Sequence, residues 1–108
     1  MRLILLFAFV VASVSAKALT WMPDAALRTW ANNNFPGCIQ GQYIDEDHPD
    51  VQAAVFLDLS WQNNITNLMG IEAFANALML NVSNNPITEW SGPPGLNSLH
   101  ALNCGITG

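Results

Sequence analysis

The sequence feature that most constrains the fold is a nine-residue stretch at positions 80–88, which reads Leu-Asn-Val-Ser-Asn-Asn-Pro-Ile-Thr. Leu80 and Val82 alternate with polar residues, as the inward positions of a short half-buried strand do. Asn85 follows in a polar turn, and Ile87 is the next apolar residue after it. We interpret the stretch as one strand and the beginning of a return arc. Because such a unit cannot bury its apolar side alone, neighbours of the same kind are expected.

Similar stretches lie on both sides of this one. Leu57-Asp-Leu-Ser stands upstream, 23 residues before Leu80, and Leu102 follows Leu80 by 22 residues, so we align the third copy on Leu102. A period of about 20–29 residues with this motif is typical of leucine-rich repeats, in which each repeat is one strand with a return arc. The alternative is a single amphipathic helix over residues 68–80 in an unrelated small α/β domain.

The first residues have the composition of a secretory signal peptide. Arg2 is followed by an apolar run through position 12, and Val14 and Ala16 are the small residues of a cleavage site. The run is shorter than the about 20 apolar residues of a membrane-spanning helix. We predict cleavage after Ala16 and a secreted or cell-surface protein that does not insert into the membrane. The mature chain then has Lys17 and Arg28 against eight carboxylates, a net charge of −6, which argues against nucleic acid as a partner.

Residues 17–54 are predicted to form a helical cap, since the first repeat of a solenoid otherwise exposes an apolar layer. Pro23, at the first helical position, and Asp24 favour a helix start. The apolar face of this helix comprises Met22, Leu27, Trp30 and Ala31. A second short helix is expected from Pro49 through Ala54, and a strand from Val55 to Leu59.

The predicted fold class is α/β. It is a short leucine-rich-repeat solenoid with parallel strands on the concave face, irregular or short helical arcs on the convex side, and a helical N-terminal cap. The predicted segments are a signal peptide (1–16), the cap (17–54), two repeats (55–76 and 77–98) and a partial repeat (99–108).

No arrangement of residues in the sequence predicts catalysis. Asp45, Asp47 and Asp50 offer oxygen atoms, but their spacing does not supply the ligands of a calcium loop, so we interpret them as a solvated acidic turn. His48 and His100 are far apart in the sequence, and no nucleophile, zinc or phosphate-loop motif is present. We predict a protein that is not an enzyme and has no catalytic residue, no metal and no cofactor.

Two cysteines, Cys38 and Cys104, remain in the mature chain. Export to an oxidising compartment makes pairing conceivable. However, Cys104 aligns with the inward positions Leu59 and Val82, whereas Cys38 precedes the first repeat. We therefore expect their Cα atoms to lie beyond the about 7 Å that a disulfide bridges, and we predict two free, mostly buried thiols.

Longer blocks follow a pattern found in one protein family. Residues 22–28 read Met-Pro-Asp-Ala-Ala-Leu-Arg, and residues 65–74 read Ile-Thr-Asn-Leu-Met-Gly-Ile-Glu-Ala-Phe. In these blocks the chain resembles secreted bacterial leucine-rich-repeat proteins, especially those of Bacteroidetes type. Ala31 and Ala77 depart from the leucines of that family, and residues 36–41 lack the carboxylates of a calcium-like loop. The resemblance implies a secreted or cell-surface protein that binds other proteins or glycans.

Alternation along the repeat strands predicts which residues form the concave surface. If Leu57 and Leu59 point inward, the neighbouring positions form two outward columns, Phe56–Met79–Ala101 and Asp58–Asn81–Asn103. Solenoids generally bind along this surface, and an exposed tryptophan is a common interface anchor. The predicted binding residues are Phe56, Asp58, Ser60, Trp61, Met79, Asn81, Ser83, Ala101 and Asn103.

We therefore predict a leucine-rich-repeat protein that binds an unknown protein or glycan through its concave face. The alternative is structural: the chain is the N-terminal capping segment of a longer repeat protein and makes no ligand contacts of its own. This alternative follows from the end of the sequence in the middle of a repeat, whereas about three repeats are the usual minimum for stability. It implies further repeats beyond residue 108.

Overall fold

Two three-stranded sheets and a few short helices form a small mixed α/β structure. The computed structural model describes residues 18–88 and the backbone of one further strand, Ser98–His100. The elements in chain order are β1 (Leu19–Trp21), α1 (Ala25–Asn34), β2 (Ile39–Gln40), β3 (Tyr43–Asp45), α2 (Pro49–Ala53), β4 (Phe56–Asp58), a 3₁₀ turn (Ile71–Ala73), β5 (Met79–Asn81) and β6 (Ser98–His100). The predicted signal peptide lies outside the described residues.

The N-terminal part of the described chain contains an antiparallel sheet of order β1-β3-β2 as well as the two helices. Trp21 pairs with Tyr43 in this sheet, and Ile39 pairs with Ile44. The segment predicted as a helical cap therefore contains both helices and, in addition, three strands that were not predicted. These strands have only two or three residues and, unlike β4 and β5, lie outside the repeating pattern, so the sequence carries little signal for them.

Helix α1 begins at Ala25, two residues later than the predicted start at Pro23. Asp24 is its N-cap, and Asp24 Oδ1 accepts hydrogen bonds from the N–H groups of Ala26 and Leu27 at 2.8 and 3.2 Å. Pro23 consequently precedes the N-cap residue. The prediction that Pro23 is the first helical residue is therefore wrong. The predicted apolar face is confirmed for Leu27, Trp30 and Ala31, which are buried in α1, whereas Met22 is buried but precedes the helix. Helix α2 begins at Pro49 as predicted.

The second sheet is parallel, with the strand order β4-β5-β6. Leu57 pairs with Leu80, as the 23-residue period predicts, and both side chains are fully buried. Residues 68–80 contain the 3₁₀ turn and the start of β5, so the alternative of one amphipathic helix there is wrong. The arc between the two strands is short and mostly irregular.

The register of the third strand differs from the predicted one by three residues. Leu80 pairs with Leu99, and Met79 and Asn81 pair with Ser98 and His100. The alignment on Leu102 is therefore wrong, and Ala101 and Asn103 are not the residues beside Met79 and Asn81. Leucines recur every three positions at 96, 99 and 102, so the local pattern does not distinguish the two registers.

The new register also changes the alignment of Cys104 in the sequence. Counted from Leu99, Cys104 corresponds to Asn85 and not to the inward positions Leu59 and Val82. Ala101, Asn103 and Cys104 themselves lie outside the described residues.

One apolar core runs from the N-terminal helices into the parallel sheet. The aromatic rings of Trp30 and Phe74 belong to this core, and the partly buried ring of Phe35 packs against both, with the three centroids 5.2–6.1 Å apart in edge-to-face or tilted arrangements. Trp30 Nε1–H also donates a hydrogen bond to the backbone carbonyl of Asp58, at 2.9 Å. Helix α1 is thereby joined both to the end of β4 and to the arc that follows it.

The polar turn after β5 is closed by Asn85, which is almost fully buried. Its side-chain amide donates to the carbonyl oxygens of Leu59, Val82 and Ser83, at 2.7, 3.2 and 3.3 Å. Its Oδ1 accepts a hydrogen bond from Ile65 N–H at 3.4 Å. One side chain therefore satisfies backbone groups of two successive turns.

Within the part of the chain that the structure describes, no helix is both long and apolar enough to cross a bilayer.

Candidate functional site

The exposed surface of β4 and β5 begins with an apolar strip. Phe56 and Met79 pair across the two strands and are 51% and 40% exposed. Val55 and Leu78 precede them and are also exposed, with Leu78 N–H donating to the carbonyl of Val55. Adjacent strands lie about 4.8 Å apart, so the paired side chains of Phe56 and Met79 form one apolar patch, with Val55 and Leu78 exposed one residue before them at the amino end of the strands. We call this surface, together with Asp58 and Asn81, the β4–β5 face.

The carboxyl end of the same face is polar. Asp58 and Asn81 pair across the strands, and each closes a turn with its own Oδ1. Asp58 Oδ1 accepts from the backbone N–H and the hydroxyl of Ser60, at 3.1 and 2.6 Å. Asn81 Oδ1 accepts from Ser83 N–H at 3.1 Å. The face therefore presents an apolar half and an adjoining half with one carboxylate and one amide.

Trp61 lies three residues beyond Asp58 and is the most exposed large apolar side chain of residues 18–88, at 69%. Its backbone adopts a left-handed conformation (φ 62°), and its N–H donates to the carbonyl of Ser83 at 2.9 Å. This bond holds the turn after β4 against the turn after β5. An indole fixed at its backbone and free at its ring can serve as an interface anchor.

Two of the predicted binding residues are less exposed than the strand alternation predicts. Ser83 is 7% exposed, so its predicted outward position is wrong. β5 ends at Asn81, and the chain then enters the turn in which Asn85 and Trp61 both bind the Ser83 carbonyl. Ser60 is half-buried, with its hydroxyl bound to Asp58. Strand alternation therefore stops predicting exposure once the ladder ends.

The charge of residues 18–88 is strongly one-sided, with seven carboxylates and a single cation, Arg28. Arg28 Nη1 donates to the carbonyl oxygens of Met22 and Pro23, at 2.8 and 2.9 Å. These hydrogen bonds hold the guanidinium against the chain's own backbone at the start of α1. The β4–β5 face contains no positively charged residue.

The acidic turn before α2 has a structural role. Asp45 is 6% exposed, and its Oδ1 accepts from Asp47 N–H at 2.9 Å, so the prediction of a solvated turn is wrong for Asp45. The imidazole of His48 links two segments: its Nε2 bonds the Pro36 carbonyl, and its Nδ1 accepts from Asp50 N–H, both at 3.2 Å. Among the residues that the structure describes, no group of three potential metal ligands comes together.

Cys38 is buried and free, as predicted. Its Sγ lies 3.6 Å from the carbonyl oxygen of Ala31 in the packing of α1 against β2. Burial raises the pKa of the thiol, and the nearby carboxylates of Asp45 and Asp50 raise it further. A protonated, enclosed thiol is a poor nucleophile.

A second exposed apolar group lies on the antiparallel sheet and was missed by the sequence reasoning. It comprises Leu19, Trp21 and Tyr43. Trp21 and Tyr43 are cross-strand neighbours in the β1–β3 pair. The alternation of Leu19, Thr20 and Trp21 is the signal in the sequence that could have indicated this strand.

Comparisons of the chain with protein-family models, curated proteins and solved structures found no match. The function is therefore inferred from the geometry of the chain's own residues.

Proposed function

We propose that this chain is a secreted or cell-surface leucine-rich-repeat protein that binds another protein or a glycan through the β4–β5 face. In this proposal the chain is not an enzyme: the strands and arcs form a short solenoid, and residues 17–54 cap its first repeat. The N-terminal sixteen residues act as a cleaved leader.

The observation that carries the proposal is the parallel pairing of β4 with β5 at a spacing of 23 residues. It aligns buried Leu57 with buried Leu80, and exposed Phe56 and Asp58 with Met79 and Asn81. In a leucine-rich-repeat protein each repeat contributes one parallel strand, and the outward side chains of successive strands form columns that bind a partner.

Two further observations support the repeat. Asn85 bonds the backbone of the preceding turn from the position where this motif carries asparagine. In the observed register Cys104 occupies the corresponding sequence position, and cysteine is the other residue that the motif accepts there. Both fit stacked layers of one kind.

The test is a pull-down that compares the wild-type chain with the double variant Met79→Asp plus Asn81→Lys. Partners from the culture medium and cell surface of the source organism are quantified by mass spectrometry. We expect the double variant to lose the specific partner, because a desolvated carboxylate in the apolar strip is unfavourable.

The matched control introduces the same two charges elsewhere, as Ala53→Asp plus Asn33→Lys on the exposed sides of α2 and α1. This control should retain the partner. Undiminished capture by the face variant, or equal loss in both variants, would contradict binding through the β4–β5 face.

A second candidate function is purely structural, and the contacts between the N-terminal part and the first repeat favour it. Asp24, Trp30 and Gly70 all join these two parts. Under this hypothesis the chain caps a longer repeat array. The face variant and its control are then expected to retain every partner equally in the pull-down.

A further inference from the structure

The charges of the described residues indicate which kind of partner the β4–β5 face can bind. Residues 18–88 contain seven carboxylates and one guanidinium, and that guanidinium is bound to backbone carbonyls at the start of α1. An approaching polyanion or acidic surface would meet repulsion with no cation on the face to offset it. A basic segment would meet attraction at long range and on contact.

Asp58 is the charged residue on this face, and only one of its two carboxylate oxygens accepts hydrogen bonds from the described residues. Its Oδ1 accepts both hydrogen bonds from Ser60, which fix the orientation of the group. No hydrogen bond from the described residues reaches Oδ2. A carboxylate held by one oxygen and exposed at the other can accept a charge-assisted hydrogen bond from an incoming ammonium or guanidinium.

Aromatic rings stand on both sides of Asp58 along the chain. Phe56 lies two residues before it on the same side of β4, and Trp61 lies three residues after it at the end of the strand; both are more than half exposed. Faces of aromatic rings attract cations, with Trp the strongest of the side chains. Met79 pairs with Phe56 across the strands, and Val55 and Leu78 are exposed one residue before them, so the amino end of the face can contact an apolar side chain.

We propose that the β4–β5 face binds a polypeptide segment that places a lysine or arginine on Asp58 and an apolar side chain on Phe56 and Met79. This inference rests on the proposed function, because it names the chemistry of the partner for the same face. A neutral glycan or an acidic protein is the competing outcome.

In the test, a library of displayed random peptides is selected for binding to the full chain. Peptides that also bind the Met79→Asp plus Asn81→Lys variant are removed, so that only peptides that depend on the face remain. We expect the surviving peptides to be enriched in lysine or arginine next to an apolar residue. Replacing Asp58 by asparagine should lower their affinity about tenfold, since it removes the charge and keeps the Oδ1 acceptor for Ser60. Raising NaCl from about 0.05 to about 0.5 M should weaken binding as well.

The matched control is Asp50→Asn, the same chemical change at an exposed carboxylate of α2, and it should leave affinity within about twofold. Reversing both charges, Asp58→Lys with glutamate in the peptide, should restore binding. Thermal midpoints equal to that of the wild type show that the variants are folded.

The outcomes separate the two proposals. Peptides that survive counter-selection but lack basic residues, or that bind Asp58→Asn as tightly as the wild type, overturn the basic-segment inference and leave binding by the face intact. The absence of any face-dependent peptide counts against the proposed function and against this inference together.

Discussion

At the scale of single residues, one carboxylate connects two distant parts of the chain. Asp24 Oδ1 caps α1, and its Oδ2 accepts from the backbone N–H groups of Thr66 and Asn67, at 2.8 and 2.9 Å. Burial by itself raises the pKa of this carboxyl, but the hydrogen bonds from Thr66, Asn67, Leu27 and Ala26 together outweigh it. The pKa of Asp24 therefore lies below its usual value of 3.8.

The lowered pKa makes stability depend on pH in a defined direction. A carboxyl whose pKa is lower in the folded state stabilises that state above the unfolded-state pKa, and the contribution is lost as the pH falls through the folded-state value. For Asp24 this loss lies below about pH 4. Asp24→Asn should reduce the free energy of unfolding by about 2 kcal/mol at pH 7, because its amide N–H₂ would face the N–H groups of Thr66 and Asn67.

Urea unfolding at pH 7 and at about pH 3 measures this effect, and the difference between Asp24→Asn and the wild type should shrink at the lower pH. Asp50→Asn, with no equivalent set of backbone donors, serves as the control. A difference between Asp24→Asn and the wild type that is the same at both pH values would contradict the assignment.

At the scale of elements, the arc after β4 contacts the end of β1 at one glycine. Gly70 has a φ of 102°, and a Cβ added there would lie 2.7 Å from Met22 Cβ and 2.8 Å from the Trp21 carbonyl oxygen. The 3₁₀ turn of the arc begins directly after it, with Glu72 Oε1 accepting from Gly70 N–H at 2.7 Å. A glycine at this position allows the arc to approach the N-terminal sheet closely.

Gly70→Ala should lower the free energy of unfolding by about 2–4 kcal/mol, from the left-handed backbone and from the displaced backbone of β1. Gly41→Ala is the matched control, since Gly41 also has a positive φ (61°) but no atom within 4 Å of an added Cβ. Thermal or urea unfolding of both variants separates the two causes. Equal losses in the two variants would show that the close approach contributes nothing.

At the scale of the whole molecule, the N-terminal part and the parallel sheet share one core. Met22, Leu27 and Trp30 belong to the same buried cluster as Leu57, Phe74 and Leu80. Removal of residues 17–53 would expose the apolar layer under the arc, including the ring of Phe74. We therefore expect the N-terminal part and the parallel sheet to fold as one unit.

We expect a chain that begins at residue 54 to lose cooperative unfolding and to aggregate, whereas the chain from residue 17 unfolds in one transition. Circular dichroism during urea titration, with size-exclusion chromatography of both chains, measures this. A cooperative, monomeric transition of the shortened chain at the same midpoint would show that the parallel sheet is stable without residues 17–53.

The sequence by itself determined the parts that depend on local patterns. The repeat period placed Leu57 opposite Leu80, alternation predicted exposed Phe56 and Met79, and helical spacing predicted the buried face of α1. These predictions succeeded because burial on one side of a strand or helix leaves a periodic signal in a short window.

The tertiary structure alone decided the features that depend on contacts between distant residues. It selected Leu99 over Leu102 for the third strand, although both fit the local pattern. It buried Ser83 where the strand ladder ends, and it assigned Asp24 a second set of donors more than forty residues away. Strand pairing and side-chain hydrogen bonds of this kind are set by which segments pack together, and no window of neighbouring residues contains that information.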